Sequence, residues 1–129
     1  MSFANERTEI ENRLQANWID TPVAWDNITF NQPNNSSWIR LNILNGATEY
    51  RAINYAKRYN GIINVQIFVP IKTGSSYARG YADTVVSLFE SQTFDSVVCD
   101  VSSVTIVGSD AKWYQINVDT PYWRDSWVK

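Results

Sequence analysis

The amino-acid sequence predicts an α+β fold: a single domain over residues 1–129, built as a mainly antiparallel sheet with two amphipathic helices packed on one face. Three observations carry this. Apolar residues recur at helical spacing near the N-terminus and again after residue 75, and period-two alternation fills most of the remainder. No repeat, linker or low-complexity segment interrupts the pattern. With 44% hydrophobic and 19% charged residues, 129 residues suffice to bury a core.

The first helix is expected over residues 2–16. Phe3, Ile10, Leu14 and then Trp18 form its apolar stripe, and Glu6, Arg7, Glu9, Glu11 and Arg13 lie between them. Ser2 is a suitable N-cap, early acidic residues suit the helix dipole, and Asp20, Thr21 and Pro22 end the pattern. A short extended piece, VAWDN, and a polar loop, ITFNQPNNSS, follow. From Trp38 the period changes to two, with Ile39, Leu41 and Ile43 on one face and Arg40 and Asn42 on the other.

Residues 49–70 read as two further strands joined through YNG, because Asn60-Gly61 is a strong turn signal. Ile63, Val65, Ile67 and Val69 alternate with Asn64, Gln66 and Phe68, and Pro70 is placed at the strand end, since it cannot donate to a ladder. A second amphipathic helix is expected over residues 75–90, burying Ala78, Tyr81, Ala82, Val85, Leu88 and Phe89. Gly80 inside it suggests close packing against a sheet or a neighbour. Two strands, SVVCDVSSVTIVG and KWYQINVDTPYW, separated by GSDA, complete the chain, and Cys99 falls on a buried strand position.

Composition excludes several function classes. The sequence has no histidine and one cysteine, so His-dependent triads, His zinc sites, cysteine metal clusters and intrachain disulfides are all ruled out. A net charge of -2 argues against general nucleic-acid binding. The opening MSFANERTEIENRL lacks an apolar run, so neither a secretory signal nor a membrane span is expected there. An aromatic content of 14%, with six tryptophans, exceeds what a core of this size needs and points to contacts with other chains, the alternative being a generous core with a few partly exposed rings.

The stretch VQIFVPIKTGSSYARGYADTVVSLF has the outline of a phosphate-binding turn, but a P-loop needs Lys-Ser/Thr directly after its second glycine, and here Lys72-Thr73 precedes both glycines, Gly74 and Gly80. Gly74 instead turns the chain and Ser75 or Ser76 caps the helix. Asp100, Asp119 and Asp125 form no paired-carboxylate motif, and no Gly-x-Ser-x-Gly elbow exists. No catalytic, cofactor-binding or metal residues are assigned, and an enzyme is not expected. The hairpin of residues 46–61 interleaves Tyr50, Tyr55 and Tyr59 with Arg51, Lys57 and Arg58. Stacking on nucleic acid, a solvent face and a protein interface are the competing readings, the last two preferred. After Pro121, the segment with Tyr122, Trp123, Arg124 and Trp127 reads either as interface anchors or as a cover for the chain's own sheet.

As a whole the pattern resembles the small tail terminator or tail completion proteins of long-tailed bacteriophages. The resemblance rests on Pro22, Ala24, Trp25 and Asn27 after the first helix, on Phe68, Pro70 and Gly74, on Ala78, Arg79 and Ala82, and on Trp113, Tyr114 and Trp123. Gly80 and Tyr81 inside the helix, and the Tyr/Arg-rich hairpin, depart from the family pattern. The resemblance implies a non-enzymatic virion protein that forms a ring, hexameric in that family, on the finished tail tube. It would stop tube growth and offer a surface to the head-tail connector protein. The partners implied are the chain itself, the tail tube protein and the connector, with no cofactor, membrane or specific nucleic acid. Its place would be the head-tail junction of the virion, reached through host cytoplasm during assembly. A connector or other minor tail subunit, and a small nucleic-acid-binding protein, are the alternatives. A closed ring makes each contact heterologous, so two different faces of the monomer must match. Tyr50, Arg51, Tyr55, Lys57, Arg58, Tyr59, Lys72, Tyr122, Trp123, Arg124 and Trp127 are the candidate ring or partner contacts.

Overall fold

A computed structural model of the chain describes residues 3–25, 28–33, 36–50, 56–71, 76–94, 96–110 and 112–127. The elements run α1 (Phe3–Asn17), β1 (Val23–Ala24), β2 (Trp38–Tyr50), β3 (Ala56–Pro70), α2 (Ser76–Phe89), β4 (Thr93–Phe94), β5 (Val97–Cys99), β6 (Ser103–Ser109) and β7 (Trp113–Trp127). The strands form one sheet in the order β1-β2-β3-β7-β5-β4, with β6 pairing β7 beside β5. All pairings are antiparallel except β1 with β2. The α+β class and the mainly antiparallel sheet are therefore as the sequence predicts.

Alternation decides which face is covered. Ile39 and Leu41 on β2, Ile63, Val65, Ile67 and Val69 on β3, and Ile116, Val118 and Tyr122 on β7 point to one face, where they meet Ile10 and Leu14 of α1, Trp18 just after it, and Ala78, Ala82, Val85 and Phe89 of α2. Burying a large aliphatic side chain stabilises by roughly 1.5–3 kcal/mol, so this layer dominates the fold's energetics. On the opposite face a smaller cluster covers one end of the sheet. Trp38 stacks on Phe68 (centroids 4.2 Å apart) and on Phe30 (5.1 Å), and meets Trp113 edge-on.

The structure revises four local expectations. Asn60-Gly61 is not a turn: it lies inside β3, so residues 38–70 form two long strands rather than three, and their connection, residues 51–55, lies outside the described residues. Both residues have other work. The Asn60 amide donates to the Ala47 carbonyl at 3.0 Å, within the irregularity of β2 between Asn45 and Thr48. Gly61 faces Tyr122 across the β3–β7 ladder, and a Cβ at residue 61 would lie 2.5 Å from the Tyr122 hydroxyl oxygen. Second, the SVVCDVSSVTIVG segment is split into β5 and β6 rather than forming one strand.

Third, β7 does not stop at Pro121 but continues to Trp127. Proline is tolerated there because its carbonyl accepts the Asp100 N–H at 2.8 Å. In a strand a residue's N and C=O point to the same side, so the missing donor faces the gap between β5 and β6, where no ladder bond is needed. Fourth, Gly80 is exposed, and a Cβ built there would meet nothing within 4 Å, so it does not mark close packing. Pro70 does end β3, and Cys99 is a buried strand residue. The caps Ser2 and Ser75, and also Asn27 and Gly74, lie outside the described residues.

Candidate functional site

The register of β2, β3 and β7 brings the two predicted contact regions, the hairpin and the C-terminal segment, into one place. Tyr50 lies opposite Lys57, which lies opposite Ser126; Arg58 faces Asp125, Tyr59 faces Arg124, and Ala56 faces Trp127. The end of the sheet is thus a three-stranded arm containing Tyr50, Lys57, Arg58, Tyr59, Trp123, Arg124 and Trp127. Arg51, Tyr55 and Lys72 lie outside the described residues.

The two faces of this arm carry the same chemistry in opposite settings. On the open face, Arg58 makes a two-pronged pair with Asp125 (Nε to Oδ1 2.9 Å, Nη2 to Oδ2 3.0 Å), and its guanidinium lies 3.7 Å over the Trp123 ring. All three are partly exposed. This is a planar, pre-ordered surface, in which the aspartate and indole hold the arginine's long side chain in place.

On the covered face, Arg124 lies 4.3 Å over the Tyr59 ring, and its Nε donates to Glu6 Oε1 at 2.9 Å. Arg124 is 1% and Glu6 2% exposed. The other Glu6 oxygen accepts from Asn45 Nδ2 at 2.9 Å, so one carboxylate ties α1 to both β2 and β7. Burial pushes the Tyr122 hydroxyl's pKa well above its ordinary value, and the negative charge of Glu6 adds to this. Of the two readings of the C-terminal segment, Tyr122 and Arg124 follow the inward one: they close the chain's own core. Trp123, half-buried on the open face, remains available.

The sequence reading placed Glu6 among the polar residues of α1 and missed its partner. The signal was present, since residues 6, 10, 14 and 18 share one helical stripe and a charge on that stripe requires a buried counter-ion. It also missed an exposed apolar edge. Val104, Ile106 and Val107 on β6, and Val101 before it, stay exposed.

Elsewhere the surface offers little chemistry. A shallow groove of about 350 Å³ lies between α2 and the loop after α1, lined by Asp20, Thr21, Pro22, Tyr77 and Tyr81 among others, with Asp20 the one carboxylate among its described lining residues. Among the described residues no cluster of three His, Cys, Asp or Glu side chains exists that would hold a metal. Cys99 is buried, which pushes its thiol up to about 12 and keeps it from acting as a nucleophile near neutrality. No helix among the described residues is long and apolar enough to cross a membrane. The exposed rings of the arm and the apolar edge of β6 are surfaces suited to binding.

A family model described as phage tail terminator protein matches residues 7–122. A solved structure that carries no functional description is similar in fold, with a TM-score of 0.76 at 23% identity, over 100% of this chain and 99% of the other. No curated protein matches the chain.

Proposed function

We propose that this chain, which belongs to the phage tail terminator protein family, closes the end of a tail tube as a ring, ends tube polymerisation and presents a surface for head joining. Membership of the family supports a structural role in a phage tail. The observation that carries the finer reading is the extent of the family match, residues 7–122, which takes in α1 from Arg7, all of α2 and the whole sheet except the end of β7 from Trp123 to Trp127.

The mechanism is differential binding. Copies associate weakly in solution and are ordered by the tube end, which supplies the complementary template. Within this reading the arm is the leading contact region, with Tyr50, Lys57, Arg58, Tyr59, Trp123 and Trp127 on it and Arg51 and Tyr55 in its connecting segment. Lys72 is a further candidate contact. Large planar side chains bury much area at little conformational cost, which favours such residues at interfaces. A ring contact with a tail tube protein on one side and a connector protein on the other uses two different surfaces of the monomer.

A nucleic-acid role draws less support from the arm, because Arg58 and Arg124 are already engaged by Asp125 and Glu6. The test is to add purified protein to tail tubes assembled without it. Tubes of defined length that carry a terminal ring by cryo-microscopy, and then accept heads, are the expected result. A chain that binds no tubes, forms no rings and is absent from virions overturns the reading. Density at another position in the virion reassigns it to a connector or minor tail subunit.

A further inference from the structure

Strand β6 pairs with β7 on one side, and among the described residues no strand pairs with its other side. Exposed sheet edges are ordinarily guarded by lysine, proline or a covering element. Residues 101–109, VSSVTIVGS, have no charge and no proline. Val104 and Ile106 lie opposite Val118 and Ile116, on the helix side of the sheet, yet they are 49% and 47% exposed because α2 packs over β7 and β3 and not over β6. Val107, at the irregularity in the β6–β7 register, is 54% exposed. Apart from that irregularity, the edge is apolar and carries no guard or cover among the described residues.

The other edge of the sheet is open as well. β1 pairs with β2 only at Ile39 and Arg40, which leaves residues 41–50 of β2 without an outer partner among the described residues. Between the two edges, β2, β3, β7 and β6 lie side by side with every neighbouring pair antiparallel, so β6 runs opposite to β2. Rotation about a ring axis preserves the sense of each strand along that axis. β6 of one copy therefore meets β2 of the next in antiparallel sense, the more stable pairing. The faces agree too: Val104 and Ile106 share the helix side with half-buried Ile43 of β2, and Thr105 shares the open side with Asn42 and Leu44.

We propose that β6 of one copy adds, antiparallel, to the outer edge of β2 of a second copy of this chain, continuing the sheet from subunit to subunit. The proposal rests on the ring reading above and names the seam of that ring. Val101, Val104, Ile106 and Val107 together expose on the order of 300 Å² of apolar surface, against about 800 Å² per partner in a stable interface. The seam alone therefore holds copies weakly, and a template is needed to close the ring.

The test uses full-length chain on tail tubes lacking it. Val104→Lys/Ile106→Lys places two charges on half-exposed positions, so the fold is expected to persist, as checked by circular dichroism and an unchanged urea midpoint. Its rings on tubes are expected to be lost. Mixed with wild-type chain below equal ratio, it is expected to poison ring closure, because it keeps a competent β2 edge. In a separate arm, Thr105→Cys and Leu44→Cys chains are mixed on tubes with a short bis-maleimide. A dimer containing one of each is expected, and neither variant alone gives it. Wild-type rings together with intact rings of the double variant and no mixed cross-link overturn the seam assignment while leaving the ring reading in place. Wild-type chain that forms no rings overturns both.

Discussion

Removing the positive member of the Glu6–Arg124 pair probes how the arm is anchored to the core. Both side chains are almost fully excluded from water, and their contact is 2.9 Å. Arg124→Met leaves the Glu6 carboxylate buried without its counter-ion, and an uncompensated buried charge of this kind costs about 3–5 kcal/mol. Glu6→Met strands the arginine cation and falls in the same range. In the double variant neither charge remains. The losses then include the stacking of Arg124 on Tyr59, on the order of 1 kcal/mol, and a bond to Asn45, whose exposed side chain returns to water. The double variant is therefore expected to be more stable than either single one, with a coupling energy of at least about 3 kcal/mol. Urea unfolding followed by circular dichroism, with the slope unchanged and the midpoint shifted, measures all four corners of the cycle. Single variants that each lose less than about 1 kcal/mol, or a double variant whose loss equals the sum of the singles, would refute the assignment of a buried, mutually dependent pair.

Two glycines give opposite expectations. Gly61→Ala drives a methyl group into the buried Tyr122 ring and is expected to cost about 1–3 kcal/mol, a penalty that shrinks in a Tyr122→Leu background. Gly80→Ala meets nothing within 4 Å on an exposed helix face and is expected to stabilise by about 0.5–1 kcal/mol in the same urea assay. Cys99, pushed up to about 12 from 9.0 by burial, stays a thiol. Because its folded pKa is raised, its contribution to stability is complete below pH 9 and is lost as pH rises towards 12. At pH 8 a thiol reagent should label unfolded but not native chain. The Asp110 carboxylate accepts the backbone N–H groups of Trp113 (2.7 Å) and Lys112 (2.8 Å), which lower its pKa from 3.8. Its contribution is present above the ordinary value and lost as pH falls through the lowered one, so NMR titration should place this carboxyl below 3.8. A midpoint at or above that value removes its role in fixing the β6–β7 turn.

Most of the core was legible because it depends on local periodicity. Ile39, Leu41, Ile63, Val65, Ile67, Val69, Ile116 and Val118 are inward because each strand alternates, and no tertiary information is needed to see it. What failed was punctuation. Asn60-Gly61 has the composition of a turn, but its glycine makes room for a ring 61 residues later in the chain, and its asparagine serves an irregularity in the neighbouring strand. Pro121 looked like a strand end, yet it sits at the one place along β7 where two short partner strands hand over and a donor is dispensable. Both depend on cross-strand neighbours that local sequence does not encode.

The candidate surfaces divide along the same line. Alternation requires that Tyr122 and Arg124 share a face with Val118 and that Trp123 and Asp125 take the other, so the inward turn of two proposed anchors follows once β7 is one continuous strand. The β6 edge is different. Its alternating apolar residues have the sequence of a buried strand, and nothing local distinguishes Val104 and Ile106 from Val118 and Ile116 opposite them. The difference is that α2 packs over β3 and β7, and β6 lies beyond it. An apolar residue on the helix side of a sheet, placed where the chain's own helices do not reach, lacks a cover within its own chain. In a family of tail components that cover is most simply another subunit, which is why the exposed edge, rather than any cleft, is the place where the sequence and the fold together ask for a partner.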